Sequence, residues 1–161
     1  MSLAAELVAL ASKNKVTVTT AESCTGGMVA AAITDIPGSS AVFERGFVTY
    51  GNAAKVQMLG VSQATLDATG AVSEETAREM AIGAAKDASA DIAVSITGIA
   101  GPGGSEFKPE GRVCFGLCVS GRVETETIEF GALGRGNVRI AARDHALSLL
   151  QRALQLSLIH I

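Results

Sequence analysis

Thr19-Thr20-Ala21-Glu22-Ser23-Cys24-Thr25-Gly26-Gly27-Met28 is the stretch that decides the fold, because a strand, a turn and a helix meet in it. At its start, Val16 and Val18 alternate with threonines up to Thr20, which is the period-2 pattern of a β-strand. At its end, the alanine-rich residues 28–33 favour a helix. The sequence therefore predicts a strand–turn–helix junction with Ser23 in the turn.

A helix that begins at this junction would present unsatisfied backbone N–H groups and the positive end of its dipole to the turn. Such a position can lower the pKa of a nucleophile, bind a phosphate or hold an oxyanion. Glycines in the turn let a ligand approach the backbone closely. The alternative is structural, because Ser and Thr are also common N-caps of helices that bind nothing. The stretch alone leaves both interpretations open.

The composition favours a single α/β domain over residues 1–161. The chain is 48% hydrophobic but only 4% aromatic, which is typical of helices packed on a buried sheet. The net charge of −3 without a cluster of Lys or Arg argues against nucleic acid or a membrane as partner. No apolar run reaches the length of a membrane span, and no signal peptide is recognisable. Three cysteines do not make a disulfide framework, so we expect buried cysteines in a cytoplasmic protein.

The order of predicted elements indicates a mixed sheet covered by helices on both faces. Hydrophobic periodicity and capping residues predict the elements that follow. Helices are expected at residues 3–13, 28–34, 52–60, 73–88 and 137–154, and strands at 16–20, 42–50, 91–96, 112–119 and 123–130. Gly46 lies inside the second strand and predicts a bulge or a close backbone approach there. The apolar residues 156–161 receive no role.

Two glycine-rich loops, Ser23–Gly27 and Thr97–Gly104, each follow a predicted strand. Ligands of open α/β sheets bind beyond the carboxyl ends of the strands, so the two loops line one pocket if their strands are neighbours. Neither loop matches the dinucleotide fingerprint or the nucleoside triphosphate loop. A phosphate-bearing ligand is compatible with the loops, but no well-known nucleotide motif identifies it.

A serine nucleophile needs a base, and Lys55 is a better candidate than either histidine. His145 lies in a predicted helix and His160 in the tail, away from both glycine-rich loops. If Asn52 caps the short third helix, Lys55 stands at its third position, where the helix dipole lowers the pKa of a cation. A lysine with a lowered pKa can act as a general base, and Tyr50 at the strand end could relay a proton. The alternative is a solvated surface lysine and an ordinary strand tyrosine.

Several motifs together resemble the C-terminal domain of the competence/damage-inducible protein CinA. The resemblance extends from about residue 3 to residue 154, and it is carried by residues 20–27, 43–50, 71–74, 95–105 and 108–111. Members of this family act as nicotinamide-nucleotide amidases, also called nicotinamide mononucleotide deamidases. The resemblance implies a three-layer α/β/α fold, self-association, and hydrolysis of nicotinamide mononucleotide without a metal or an organic cofactor.

The resemblance also implies the catalytic residues. The nucleophile of the family falls on Ser23, its tyrosine on Tyr50 and its lysine on Lys55. For binding of the oxyanion and of the phosphate of the substrate we expect two further groups of residues. The backbone amides of Thr25, Gly26 and Gly27 would hold the oxyanion, and the phosphate would bind to Arg45 or to the second loop, including Thr97, Gly98 and Gly101.

Two alternatives remain at this point. One is a non-catalytic nucleotide-binding module linked to competence or the response to DNA damage. The other is an amidase for a different amide in which Cys24 is the nucleophile, because a helix N-terminus lowers the pKa of a thiol. Against the second alternative, Cys24 is also explained as a small buried side chain beside the site.

Overall fold

The computed structural model describes residues 1–159, with side chains described through residue 156. His160 and the last residue of the apolar tail lie outside this range. The helices are α1 Leu3–Asn14, α2 Met28–Thr34, α3 Asn52–Leu59, α4 Gln63–Thr69, α5 Glu74–Ala88 and α6 Arg135–Ile159, and a 3₁₀ turn covers Ser39–Ala41. The strands are β1 Val18–Glu22, β2 Phe47–Val48, β3 Ile92–Gly98, β4 Arg112–Val119 and β5 Arg122–Glu129.

The five strands form one mixed sheet in the order β2-β1-β3-β4-β5. β1 is parallel to β2 and β3, whereas β4 is antiparallel to both of its neighbours, β3 and β5. Buried apolar residues of α1, α2 and α6 pack on one face of the sheet, and those of α3, α4 and α5 on the other. The predicted three-layer α/β/α fold is therefore confirmed.

The first strand lies two residues later than its sequence pattern suggested. β1 runs from Val18 to Glu22, and all five of its residues are buried. Because β1 is a central strand with helices on both faces, it has no solvent-facing side to produce a true alternation. The later start brings the end of the strand directly to Ser23.

The prediction of a long strand at residues 42–50 is wrong, since only two residues join the sheet. Phe47 and Val48 form β2, and Phe43 makes a single bridge to Val18. Between these contacts the carbonyl of Arg45 accepts a hydrogen bond from the Thr19 hydroxyl, so a side chain replaces the strand ladder there. At Gly46, where we expected a bulge or a close backbone approach, side chains come close instead, and a Cβ there would lie 2.8 Å from Phe43 Cζ.

Helix α3 is held directly against the backbone of α5. A Cβ at Gly83 of α5 would overlap the carbonyl group of Leu59 in α3. Gly60 ends α3 in the left-handed conformation with φ 71°, as its sequence predicted. The N-cap is Gly51 rather than Asn52, so the helix begins at Asn52, one residue earlier than we expected.

Among residues 1–159, none of the helices combines the length and the apolar character that crossing a membrane requires.

Candidate active site

Ser23 stands at the carboxyl end of β1, where the chain turns into α2. Its backbone N–H donates to the carbonyl of Ile96 in β3, which fixes it to the neighbouring parallel strand. The turn closes through a hydrogen bond from the Gly26 N–H to the Ser23 carbonyl at 3.0 Å. Gly26 and Gly27 have φ values of 56° and 103°, which glycine adopts without strain. The predicted strand–turn–helix junction is confirmed.

The N-terminus of α2 is not available to a ligand, contrary to the sequence-based expectation. Glu22 is fully buried, and its carboxylate accepts hydrogen bonds from the N–H groups of Val29 and Ala30 at 2.9 and 3.0 Å. An acidic group in this position satisfies the unpaired helix donors and complements the helix dipole. The chain therefore fills its own anion site, and any phosphate must bind elsewhere.

Lys55 reaches Ser23 from α3. Its Nζ lies 3.0 Å from Ser23 Oγ, so the predicted contact is present. The same Nζ donates to the Thr49 carbonyl at 2.8 Å, and the Tyr50 carbonyl lies 3.4 Å away. As an ammonium, Lys55 can donate to all three oxygens. As a neutral amine it can donate to the two carbonyls and still accept the proton of the serine hydroxyl.

Burial, rather than the helix dipole, changes the acidity of Lys55. The side chain is 1% exposed, and its desolvation lowers the pKa of the ammonium. Because Gly51 is the N-cap, Lys55 is the fourth residue of α3, and its own N–H already bonds to the Gly51 carbonyl. Within the described part of the chain, no carboxylate lies within ion-pair distance of Lys55.

Tyr50 is positioned differently from its predicted place beside Ser23 and Lys55. Its side chain is 60% exposed, and Arg135 donates a hydrogen bond from Nη2 to its hydroxyl at 2.7 Å. Only the backbone carbonyl of Tyr50 faces Lys55. The phenol thus stands at the mouth of the site, where it is held by an arginine that sequence reasoning missed.

One cavity of about 340 Å³ is lined by Ser23 and Cys24 of the first glycine-rich loop and by residues 97–104 of the second, so the two loops meet at one pocket as predicted. β1 and β3 are adjacent parallel strands, so their carboxyl ends open on the same edge of the sheet. The walls include Ser23, Cys24, Tyr50, Lys55, Thr97, Gly98, the loop 99–106 and Arg135. Of the predicted binding residues, Thr97, Gly98 and Gly101 therefore lie at the cavity.

Other predicted binding residues do not line it. Thr25, Gly26 and Gly27 lie behind Ser23 in the turn, and the Gly26 amide is already bonded. The expected position of Arg45 at the mouth is wrong. Its guanidinium pairs with the neighbouring Glu44 and donates to the carbonyl of Asp87, near the C-terminal end of α5. That end lies before β3 begins, at the edge of the sheet opposite to the cavity.

Cys24 lines the cavity but has the wrong acidity for a nucleophile. It is 3% exposed, and burial raises the pKa of its thiol to about 11. A thiolate is therefore rare at neutral pH, in contrast to the lowered pKa that a helix N-terminus suggested. Since Glu22 occupies that N-terminus, Cys24 gains no benefit from the dipole.

Arg135 is a charged residue of the cavity that the sequence did not reveal. It is the first residue of α6, and it donates to the Tyr50 hydroxyl and, from Nη1, to the Gly101 carbonyl at 2.6 Å. Arg139, one turn later, donates to the carbonyls of Cys24 and Thr25. The sequence signal was an arginine between two glycines at a helix start, which is too common to indicate a site by itself.

The sequence profile of the CinA C-terminal domain family matches residues 1–154. The chain is 58% identical over 141 residues to the nicotinamide-nucleotide amidohydrolase PncC of Escherichia coli K12, covering 86% of each protein. It is 49% identical over 154 residues to a CinA-like protein of Kosmotoga olearia. That match covers 95% of this chain but only 37% of the longer relative.

A solved structure has the same fold. The competence/damage-inducible protein CihA of Agrobacterium tumefaciens superposes with a TM-score of 0.91 at 46% sequence identity. The superposition covers 94% of this chain and 93% of that protein. The likeness therefore extends over nearly the whole of both chains.

Proposed function

The chain belongs to the CinA C-terminal domain family, and from that premise we propose that it is a nicotinamide-nucleotide amidase. The reaction is hydrolysis of the carboxamide of nicotinamide mononucleotide to nicotinate mononucleotide and ammonia. The observation that carries the proposal is the buried contact of 3.0 Å between Lys55 Nζ and Ser23 Oγ. An amide is a poor electrophile, and a serine activated by an adjacent base divides its hydrolysis into two easier steps.

In the first step, neutral Lys55 accepts the hydroxyl proton as Ser23 Oγ attacks the carboxamide carbon. The carbonyls of Thr49 and Tyr50 hold the amine by its two remaining protons, so its lone pair is directed to the serine. The resulting ammonium then gives its proton to the leaving nitrogen, and ammonia departs. Ser23 is left as an ester of the nicotinate carboxyl group.

In the second step, Lys55 is again neutral and accepts a proton from a water molecule that attacks the ester. The carbon–oxygen bond to Ser23 breaks, the proton held by Lys55 returns to Oγ, and the nicotinic acid group loses its remaining proton to solvent and leaves as the carboxylate. One lysine thus acts as base and acid in each half of the reaction, which is the general pattern of nucleophile and adjacent base. No step requires a metal or an organic cofactor.

For the oxyanion we propose the backbone N–H of Cys24 in place of the Gly26 amide. Cys24 lines the cavity directly after the nucleophile, and in the described part of the chain its N–H donates to no other residue. A single donor of this kind typically contributes ~2.7–4 kcal/mol to stabilisation of the transition state.

For the phosphate of the nucleotide we propose Arg135. Lys55 and Arg135 are the two cationic side chains among the described lining residues. Lys55 already contacts Ser23 Oγ, so Arg135 is the cation that can bind the phosphate. The guanidinium has five N–H donors, of which the Tyr50 hydroxyl and the Gly101 carbonyl use two. Tyr50 would contact the same nucleotide, and because its hydroxyl accepts the hydrogen bond from Arg135, its own proton stays available for donation.

The test is release of ammonia from nicotinamide mononucleotide by the purified chain. Ser23→Ala should abolish release while leaving the melting temperature and nucleotide binding nearly unchanged. Ser39→Ala is the matched control, because Ser39 is also 8% exposed and lies outside the cavity. Binding without ammonia release by the unmodified chain would instead support the non-catalytic module. Parallel losses of activity and melting temperature in Ser23→Ala would make the hydroxyl a structural cap.

Self-association, a single domain over residues 1–161 and a cytoplasmic location remain proposals that rest on the family. Sedimentation at several protein concentrations would test the first of them.

A further inference from the structure

Glu110 connects two segments that both border the cavity, although it has no part in the reaction proposed above. Its Oε1 accepts a hydrogen bond from the Gly103 N–H at 2.7 Å, and its Oε2 accepts one from the Gly134 N–H at 3.2 Å. Gly103 belongs to the second glycine-rich loop, and Gly134 directly precedes Arg135. One carboxylate therefore joins the loop to the start of α6.

The loop is shaped to receive this carboxylate. Gly101 has a φ of 93°, and a Cβ at this position would lie 2.5 Å from Cδ of Glu110. The carbonyl of the same Gly101 accepts the hydrogen bond from Arg135. Glu110 and Arg135 thus hold the loop from two sides, and the backbone at residue 134 links them to each other.

We propose that Glu110 is a positioning residue that fixes Arg135 and the loop 101–104 for binding the phosphate of the substrate. The inference rests on the proposed function, because it concerns the same cavity and the same nucleotide. Hydrogen bonds from backbone N–H groups to a carboxylate are charge-assisted and strong. Without them, a loop containing three glycines among four residues must be ordered when the ligand binds, and that cost weakens binding.

Because Glu110 is negatively charged, it has two opposite effects on the binding of a phosphate, and their balance tests the proposal. A carboxylate near a phosphate site repels the ligand, so loss of its charge alone would improve binding of the phosphate. Loss of its two hydrogen bonds would weaken binding, since the loop and Arg135 are released. The proposal requires the second effect to dominate, so both Glu110→Ala and Glu110→Gln should bind the nucleotide less tightly.

The kinetic test compares nicotinamide mononucleotide with the corresponding nucleoside, which lacks the phosphate. For Glu110→Ala we expect KM for the nucleotide to rise about tenfold, equivalent to about 1.4 kcal/mol. KM for the nucleoside should stay unchanged, and kcat should remain within about twofold. Glu110→Gln keeps one acceptor oxygen and should show a smaller rise. Glu129→Gln is the control, because Glu129 is a carboxylate at the end of β5 that pairs with Arg112 and does not line the cavity.

A binding test works whether or not the chain turns over the nucleotide. Tyr50 is the only tyrosine and the chain has no tryptophan, so intrinsic fluorescence reports on the mouth of the cavity alone. Titration with nicotinate mononucleotide should give weaker binding for Glu110→Ala than for the unmodified chain. In an Arg135→Lys background the same substitution should have little further effect, because Glu110 acts through Arg135.

Three outcomes would overturn the proposal. An equal rise of KM for the nucleoside would indicate general damage to the cavity, and tighter nucleotide binding by Glu110→Gln would leave only the charge effect. If the effects of Glu110→Ala and Arg135→Lys on the binding free energy were fully additive, the two residues would act independently. If the unmodified chain binds the nucleotide but releases no ammonia, the proposed function fails while the titration still decides the role of Glu110.

Discussion

Replacement of Lys55 by arginine is the most direct test of the proposed base. Both side chains are cationic, but the guanidinium stays protonated at any pH that the protein tolerates and cannot accept the proton of Ser23. The substitution therefore keeps the charge and removes the basicity. Lys55→Met is the companion variant, since it keeps a similar length and removes both properties.

The expected loss follows from the contacts of Lys55. General-base assistance contributes typically 10²–10⁴-fold, so kcat/KM of Lys55→Arg should fall by about that factor. The larger guanidinium must also fit a site that is 1% exposed, and such overpacking costs about 1–3 kcal/mol of stability. A lower melting temperature is therefore expected together with the loss of activity.

The pH dependence of the unmodified chain supplies the second part of the test. A lysine with an ordinary pKa of ~10.4 is neutral in only about one molecule in a thousand at pH 7.4. Burial lowers the pKa of Lys55, so the neutral, active fraction is larger. We expect kcat/KM to rise tenfold per pH unit below this lowered pKa and to level off above it. The residual activity of Lys55→Arg should lack that rise.

The assay is initial-rate ammonia release in a pH series that starts at about pH 5 to 8, where proteins are typically most stable, and extends upward as far as melting temperatures show a folded chain. Near-normal turnover by a folded Lys55→Arg variant would refute the reasoning. The lysine would then be only a fixed positive charge, and the base would have to be Tyr50 or a bound water.

Two further predictions concern the same site. Cys24→Ala should keep activity within about twofold, because a thiol with a pKa of about 11 is not the nucleophile; loss of activity in a folded variant would reassign the nucleophile to the thiol. The free energy of unfolding should rise with pH between the lowered folded-state pKa of Lys55 and the unfolded value of ~10.4, because only the unfolded chain holds the proton there. Urea titrations across this window should find a flatter profile for Lys55→Met, and identical profiles would contradict the assigned pKa direction.

Local sequence signals predicted the framework of the site well. Gly60 and Ser73 fixed the end of α3 and the start of α5, and the Ser23 turn was recognisable from its glycines. Lys55 was found from its place near a helix start, although the cause of its lowered pKa is burial. The burial of Lys55 depends on its packing against Ser23 and Thr49, which come from other parts of the chain. The spacing of residues along the sequence cannot reveal such packing.

Contacts between distant residues could not be predicted in the same way. Arg135 meets Tyr50 across 85 positions of sequence, whereas Arg45 lies only five residues from Tyr50 and points elsewhere. The role of Glu22 in capping α2 could not be predicted for a different reason. Glu22 appears as an ordinary strand residue, and only the folded turn shows its carboxylate reaching back to the N-terminus of α2.

The backbone contact between α3 and α5 has a consequence for how this protein tolerates mutation. Gly83 touches neither the cavity nor Lys55, yet any side chain there would collide with the carbonyl of Leu59 and push α3 outward. Since α3 carries the lysine, the displacement would lengthen its contact with Ser23. In a library covering every single substitution, position 83 should therefore be depleted as strongly as the catalytic positions.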